Sequence, residues 1–288
     1  MKRSPGWKRR CPSIPSTVAP AARGGAGPTA DDPRHLHMTT PCSIDVVILT
    51  WNDGPVLQRA VDSVHRSVGV DARVVVVDNG SEPPAEPVLT AVDELIPLER
   101  NRGVAAGRNV GAHRGRAPYL CFLDSDAALH PDTLRVLVSR LNADDRVAVA
   151  SPVFDHQAPE DSGGVAPTFT RKVRRVTGRT SSYGTGSAHD GVIDVDFTIG
   201  ACQVVRRSAF EQVGGLDERY FYGPEDADFC MRLRLAGWKV VQVERAGCEH
   251  PPRRRNRRLL TVRGLRHSAA VARFLWHHRS YRQRVPVP

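Results

Sequence analysis

A doubly wound α/β domain, with a mostly parallel sheet and helices on both faces, is the fold class that residues 44–153 predict. Two observations carry the prediction. Four short runs, 44–50 (IDVVILT), 72–77 (ARVVVV), 119–123 (YLCFL) and 147–153, are almost continuously apolar, as strands covered on both faces are. Between them apolar residues recur at helical spacing, and strand–helix alternation of this kind builds a parallel sheet. Such sheets bind ligands beyond the carboxyl ends of their strands, so the polar residues just after each strand matter most.

The elements follow in order. After strand 44–50, Asn52 or Asp53 can cap a helix with Pro55 in its first turn; Val56, Leu57, Ala60, Val61 and Val64 give it one apolar face. The second strand stops at Asp78-Asn79-Gly80-Ser81, which is strong turn chemistry. Residues 84–95 are expected to be a helix and 96–99 a short strand. A helix over 103–115, the strand 119–123, an amphipathic helix over 131–141 and the strand 147–153 come next. Residues 155–190, rich in Gly, Ser, Thr and basic side chains, read as a long loop, either functional or disordered. Strands over 192–197 and 201–205 follow, then a short helix over 208–213 ended by Gly214-Gly215. A helix beginning near Pro224 or Glu225 runs to Ala236, is stopped by Gly237, and gives way to a strand over 239–243.

The two flanks differ from this domain. Residues 1–37 are punctuated by Pro5, Pro12, Pro15, Pro20, Pro28 and Pro33, show no apolar period, and are expected to be disordered. They lack the apolar stretch of a secretory signal. The net charge is +10, and after Glu249 the chain carries eleven arginines and no acid or lysine. A basic tail, 252–288, on a nearly neutral body points to a polyanion: membrane head groups, nucleic acid or a lipid-linked phosphate. Leu265, Ala269, Ala272, Phe274, Leu275 and Trp276 could give the tail an apolar helical face, suited equally to an anionic membrane surface and to packing on the domain. No zinc-finger, RRM or basic-zipper pattern supports specific nucleic-acid binding. No apolar run reaches the 18 residues of a membrane span. The six cysteines form no CxxC pair and have no zinc-finger spacing, so free thiols, a reducing compartment and a cytoplasmic protein are expected. Thr50-Trp51-Asn52-Asp53-Gly54 stands where a dinucleotide-binding dehydrogenase needs GxGxxG, which argues against hydride transfer.

Five constellations carry chemistry. Asp124 and Asp126 follow the strand YLCFL at i and i+2, so both carboxylates point to one side, and they would repel unless a cation lay between them. Hard oxygens suit Mg²⁺ or Mn²⁺; a solvated turn is the competing reading. Asp78 could accept from a ribose hydroxyl or a base N–H, or simply serve the turn. Glu225 and Asp226 open a helix, where a carboxylate can cap or act as a general base. Asp228 and Arg232, spaced i, i+4, read as a structural pair. His250 lies beyond the last strand, where an imidazole could complete a metal site or bind a diphosphate. Finally, the stretch from Arg100 through Arg108 to Asn109 combines glycines with basic residues suited to phosphate.

The segments VVILTWN, VVVVDNGS, NRGVAAGRNVG, LCFLDSDAALHPDTL and GACQVVRRSAFEQVGGLDERYFYGPEDADFCMRLRLAGW, followed by His250, together resemble glycosyltransferase family 2. The resemblance covers residues 43–251, and GGLDERYFYGPEDADFCMRL is most similar to the rhamnosyltransferase and galactofuranosyltransferase branch. It implies the GT-A (nucleotide-diphospho-sugar transferase) fold and an inverting transfer from a nucleoside-diphosphate sugar, either TDP-rhamnose, a UDP-sugar or GDP-mannose, to a glycan or polyprenyl-linked acceptor. By the same resemblance, Asp78 contacts base or ribose with Thr50 and Asn52 in the same pocket. Arg108 sits near base or phosphates. Asp124 and Asp126 hold the metal, His250 reaches the metal or diphosphate, Asp226 is the base, and Glu225 helps to bind the acceptor. The chain departs from the family pattern at Gly223-Pro224, where a bulky or aromatic residue is frequent. The acceptor implied would put the protein at the inner face of the cell membrane. A module of the same fold that binds the nucleotide sugar without catalysis is the alternative, and retention of Asp78, Asp124, Asp126 and Asp226 argues against it.

Overall fold

The computed structural model of the chain describes residues 41–85, 89–157, 162–166, 190–251 and 262–285. The expected disorder of 1–37, most of the loop 155–190 and the arginine run at 253–258 lie outside the described residues.

The central sheet forms as the apolar runs demand. Its strands are β1 (Cys42–Thr50), β2 (Val70–Asp78), β3 (Glu94–Pro97), β4 (Tyr119–Asp124), β5 (Ala128–Leu129), β6 (Val147–Phe154), β8 (Val192–Val195), β10 (Cys202–Arg206) and β11 (Lys239–Glu249). A separate ribbon pairs β7 (Gly163–Gly164) with β9 (Phe197–Thr198). Across the sheet the order is β3-β2-β1-β4-β10-β6-β11-β5, with β8 on β11. The wing β3-β2-β1-β4 is wholly parallel. Beyond it β10 is antiparallel to both β4 and β6, so the sheet is mixed. Strand order reverses at β1, because β2 joins one edge of it and β4 the other. Thr50 stands beside Asp78, and Leu49 beside Asp124, so the polar ends of three strands meet at this switch point.

Helices cover both faces. On one face α1 (Gly54–His65) and α3 (Thr133–Ala143) pack Leu57, Val61, Leu134, Leu137 and Leu141 against Ile44, Val46 and Ile48. On the other, α2 (Val104–Ala112), α4 (Arg207–Gln212) and α5 (Glu225–Leu235) pack Ala105, Phe210, Phe229 and Leu233 against Val47, Val77 and Phe122. Alternate residues of β1 thus feed opposite cores, as its unbroken apolar run requires. Two further helices, α6 (Val262–His277) and α7 (Tyr281–Arg284), belong to the tail.

Three expectations need correction. Described residues of 84–95 form no helix, and β3 begins at Glu94. Pro83 and Pro84 offer no N–H there, Asp78 draws the Ala85 N–H to its own carboxylate, and Asp93 exchanges hydrogen bonds with Val74 that seat the chain beside β2. Second, Asp53 takes the N-cap position of α1 as expected, but it serves through its backbone carbonyl, and neither Asn52 nor Asp53 caps with its side chain. The Asn52 Oδ1 accepts the Glu82 N–H and the Asp53 carboxylate accepts the Ser125 hydroxyl, so the loops compete successfully for both. Third, Cys121, Cys202, Cys230 and Cys248 are buried free thiols as expected, but Cys42 is disulfide-bonded, against the expectation of free thiols throughout.

The tail helices pack on the domain. Phe274 and Tyr281 join Tyr220, Ala227 and Met231 in one apolar cluster, whereas Trp276 points outward and is 68% exposed. The face predicted from Leu265, Ala269, Ala272, Phe274, Leu275 and Trp276 is therefore split. Phe274 is buried, Leu275 partly so, and Trp276 stacks under the Arg279 guanidinium on the surface.

Candidate active site

A cavity of about 1060 Å³ opens at the switch point. One side is built from strand ends: Thr50, Trp51, Asn52 and Asp53 after β1, Asn79 after β2, and Asp124, Ser125 and Asp126 after β4. Asn101, Gly103 and Val104 line its floor before α2. Arg219, Phe221 and Tyr222 also line it and, unexpectedly, so do Ala269, Ala270 and Arg273 of α6. Gly103 has φ +90°, and a Cβ there would lie 2.6 Å from the Phe221 carbonyl oxygen; only glycine lets the two walls close this tightly.

The metal-competent cluster is Asp124, Asp126 and His250, whose ligand atoms all lie within 4.8 Å of one another. The His250 Nε2 is 3.5 Å from Asp126 Oδ1 and 3.8 Å from Asp124 Oδ2. Sheet pairing explains why a residue so remote in sequence arrives here. The short β5, two residues past Asp126, pairs with Cys248 and Glu249 at the end of β11, so His250 follows directly onto the two acids. A register shift between Val243 and Gly247 sets where β11 ends. Burial, and then the Asp124 carboxylate beside it, push the Asp126 carboxyl above its ordinary value despite the opposing pull of His250. The two carboxylates meet one guanidinium, that of Arg108, and one imidazole. Among the described residues a second cluster of this kind, His130, Asp155 and Glu249, is compensated by Arg59 on Glu249 and by a 2.8 Å His130–Asp155 contact.

Arg108 is buried and ties this cluster to the start of α5. Its Nη2 donates to Asp124 Oδ1 and, at 2.7 Å, to the Gly200 carbonyl. The Gly200 N–H donates to Asp226 Oδ2 at 3.1 Å, and Asp226 Oδ1 accepts the Ala227 N–H at 2.8 Å. Glu225, also buried, has an Oε2 with no hydrogen-bond partner. Burial and the neighbouring Asp226 push its pKa up to about 7, against the attraction of Arg108. Asp228 is held below its ordinary value: burial opposes this, but hydrogen bonds from His278 (2.8 Å) and Arg232 (2.7 Å) prevail.

The structure thus brings together Thr50, Asn52, Asp124 and Asp126 on the cavity wall, with His250 and Arg108 in direct contact with the acids. Asp78, Glu225 and Asp226 are not among the lining residues. Asp78 spends both carboxylate oxygens on the N–H groups of Ser81 and Ala85, holding the loop after β2, and its neighbour Asn79 reaches the cavity instead. Asp53 lines the cavity, as its place in the polar stretch after the first strand led us to expect. Arg219, Phe221, Tyr222 and Arg273 were not legible as cavity residues, and Arg273 lay in a tail whose packing the sequence left open.

Residues 45–214 match the family described as "Glycosyl transferase family 2", and residues 192–254 match "N-terminal domain of galactosyltransferase". An N-acetylglucosaminyl-diphospho-decaprenol L-rhamnosyltransferase of Mycobacterium tuberculosis is 27% identical over 235 residues, 72% of this chain and 75% of that protein. The dTDP-rhamnosyl transferase RfbF of Shigella flexneri is 25% identical over 202 residues, 66% of this chain and 62% of its own length. The mannosyltransferase PcManGT of Pyrobaculum calidifontis, solved in complex with GDP-Man and Mn²⁺, shares the fold at a TM-score of 0.55 and 20% identity, over 83% of this chain and 69% of that one. With more than half of its residues inside the family match, the chain belongs to glycosyl transferase family 2 and is a glycosyltransferase.

Proposed function

We propose that this glycosyltransferase moves a sugar, with inversion, from a nucleoside-diphosphate sugar to a hydroxyl of a glycan or polyprenyl-linked acceptor in cell-envelope polysaccharide synthesis. TDP-rhamnose or a UDP-sugar is the favoured donor. The names of the M. tuberculosis and S. flexneri relatives support rhamnose, and the decaprenol-linked acceptor in the former's name supports a lipid-linked acceptor. The observation that most supports the reading is the convergence of Asp124, Asp126 and His250 at the switch point of the sheet. Two clustered carboxylates and one imidazole fit Mg²⁺ or Mn²⁺. Such an ion, when bound, supplies Lewis acidity and a template for the departing diphosphate.

The chain's own residues do the rest. Thr50 and Asn52, with the loop that Asp78 holds, form the nucleoside end of the cavity. Arg108 fixes the Asp124 carboxylate in place. Asp226, oriented by two backbone N–H groups, takes the proton from the acceptor hydroxyl as its oxygen attacks the anomeric carbon. Glu225 holds a proton below about pH 7 and can donate a hydrogen bond to the acceptor from beside the base. A polyprenyl-linked acceptor places the work at a membrane surface, and we assign it to the cytoplasmic face, with peripheral contact through the basic tail. No described helix is long and apolar enough to cross a membrane.

The test is Asp226→Asn. Transfer is expected to fall about 10²- to 10⁴-fold, with nucleoside-diphosphate affinity retained. Turnover at the wild-type rate would remove Asp226 from the role of base.

A further inference from the structure

We propose that Arg273 of the tail helix α6 is a phosphate-binding residue of the cavity, and that it receives a phosphate of the acceptor rather than of the donor. The inference rests on the transferase reading above.

Arg273 lines the same cavity as the acids of β4. It has no carboxylate partner among the described residues. Its Nη1 donates at 3.1 Å to the Arg219 carbonyl, which positions the guanidinium and leaves its charge uncompensated. The neighbouring Arg219 differs, since Asp217 neutralises it through an ion pair at 2.6 Å. Ala269 and Ala270 of the same helix also line the cavity, with small side chains. An uncompensated guanidinium facing a roomy cavity is suited to phosphate, which it can bind through two parallel N–H donors.

Its anchoring argues for the acceptor. The donor's diphosphate is provided for by Asp124, Asp126 and His250 with a cation. Arg273 is tied instead to the segment that carries the exposed, cavity-lining Phe221 and Tyr222, through the Arg219 carbonyl, and that segment leads directly into Glu225 and Asp226. Phosphate on Arg273 and an apolar chain across Phe221 and Tyr222 describe an amphipathic acceptor whose head lies toward the start of α5. The helix is held for this task by two buried hydrogen bonds. The His278 Nε2 lies 2.8 Å from the Asp228 carboxylate on α5, and the Tyr281 hydroxyl donates to Asp196 at 3.0 Å.

The probe is geranyl diphosphate, titrated calorimetrically into the full chain saturated with Mn²⁺ and TDP or UDP, with geraniol as the phosphate-free control. Wild type should bind the diphosphate and not geraniol. Arg273→Ala should weaken geranyl diphosphate at least about tenfold, Arg273→Lys less, and neither should change nucleotide affinity. The proposal is overturned if wild type does not bind the probe, or if Arg273→Ala binds it as wild type does. A matching loss of nucleotide affinity in Arg273→Ala would assign the residue to the donor and overturn it as well. Failure of wild type to bind any nucleotide with Mn²⁺ is a separate outcome, and would remove the transferase reading on which the proposal stands.

Discussion

At the residue scale the site depends on small groups that let large ones meet. Gly200 is the sharpest case, because a Cβ there would lie 2.2 Å from Arg108 Nη1. Gly200→Ala should drive the guanidinium off Asp124 and lower Mn²⁺ affinity about 10- to 100-fold, the usual cost of losing a group that orients a metal ligand. A manganese titration followed by electron paramagnetic resonance measures it, and unchanged affinity would separate Arg108 from the metal site. Glu225 gives a prediction in pH. Its pKa rises from 4.5 to about 7 on folding, so the folded chain holds that proton more tightly than the unfolded one. The resulting stability is complete below about pH 4.5 and disappears as pH rises through about 7. Glu225→Gln should flatten this part of the stability–pH profile and be more stable than wild type at pH 8. Urea unfolding across that range decides it, and an unaltered slope would contradict the burial argument. The sequence showed Glu225 and Asp226 together at a helix start, but not that Glu225 would be buried with one oxygen lacking a hydrogen bond, which depends on packing remote in sequence.

At the scale of elements, strand periodicity was legible and connections were less so. The apolar runs on β1, β2, β4 and β6 fell where expected because strands fed from both faces can hardly be anything else. The helix expected over 84–95 failed because backbone partners on β2 and in its turn outcompeted helical ones. The Asp228–Arg232 pair was visible as i, i+4 spacing, whereas its third member, His278, was 50 residues away and invisible. That triad joins α5 to the tail. Asp228 is 1% exposed, so removing it leaves His278 and Arg232 without their shared acceptor. Asp228→Ala should cost about 3–5 kcal/mol in chemical denaturation. Because the Asp228 pKa is lowered by folding, its contribution is present above the ordinary carboxylate range and fades as pH falls through it. A loss under about 1 kcal/mol would mean that α6 is not anchored this way.

At the scale of the molecule, the charge imbalance had suggested a catalytic domain with a separate basic tail, but the described part of that tail closes one wall of the cavity. Charge and periodicity could not reveal this, because Phe274 and Trp276 sit two residues apart and only the first turns inward. The five ordered motifs, by contrast, carried the resemblance that gave family and fold, and four of them end a strand or begin a helix beside the switch point. His250 joins them only through the pairing of β5 with β11, a two-residue strand too short to read from its pattern.

The central claim is that this switch point binds a nucleoside diphosphate through a divalent ion held by Asp124, Asp126 and His250. The most direct measurement is the calorimetric affinity of the purified chain for TDP, UDP and GDP, with and without Mn²⁺, alongside Asp126→Asn. One nucleotide should bind in a strictly Mn²⁺-dependent manner, and Asp126→Asn should weaken it at least about tenfold. Equal affinity with and without the ion, or an Asp126→Asn chain that binds as wild type does, would contradict the account.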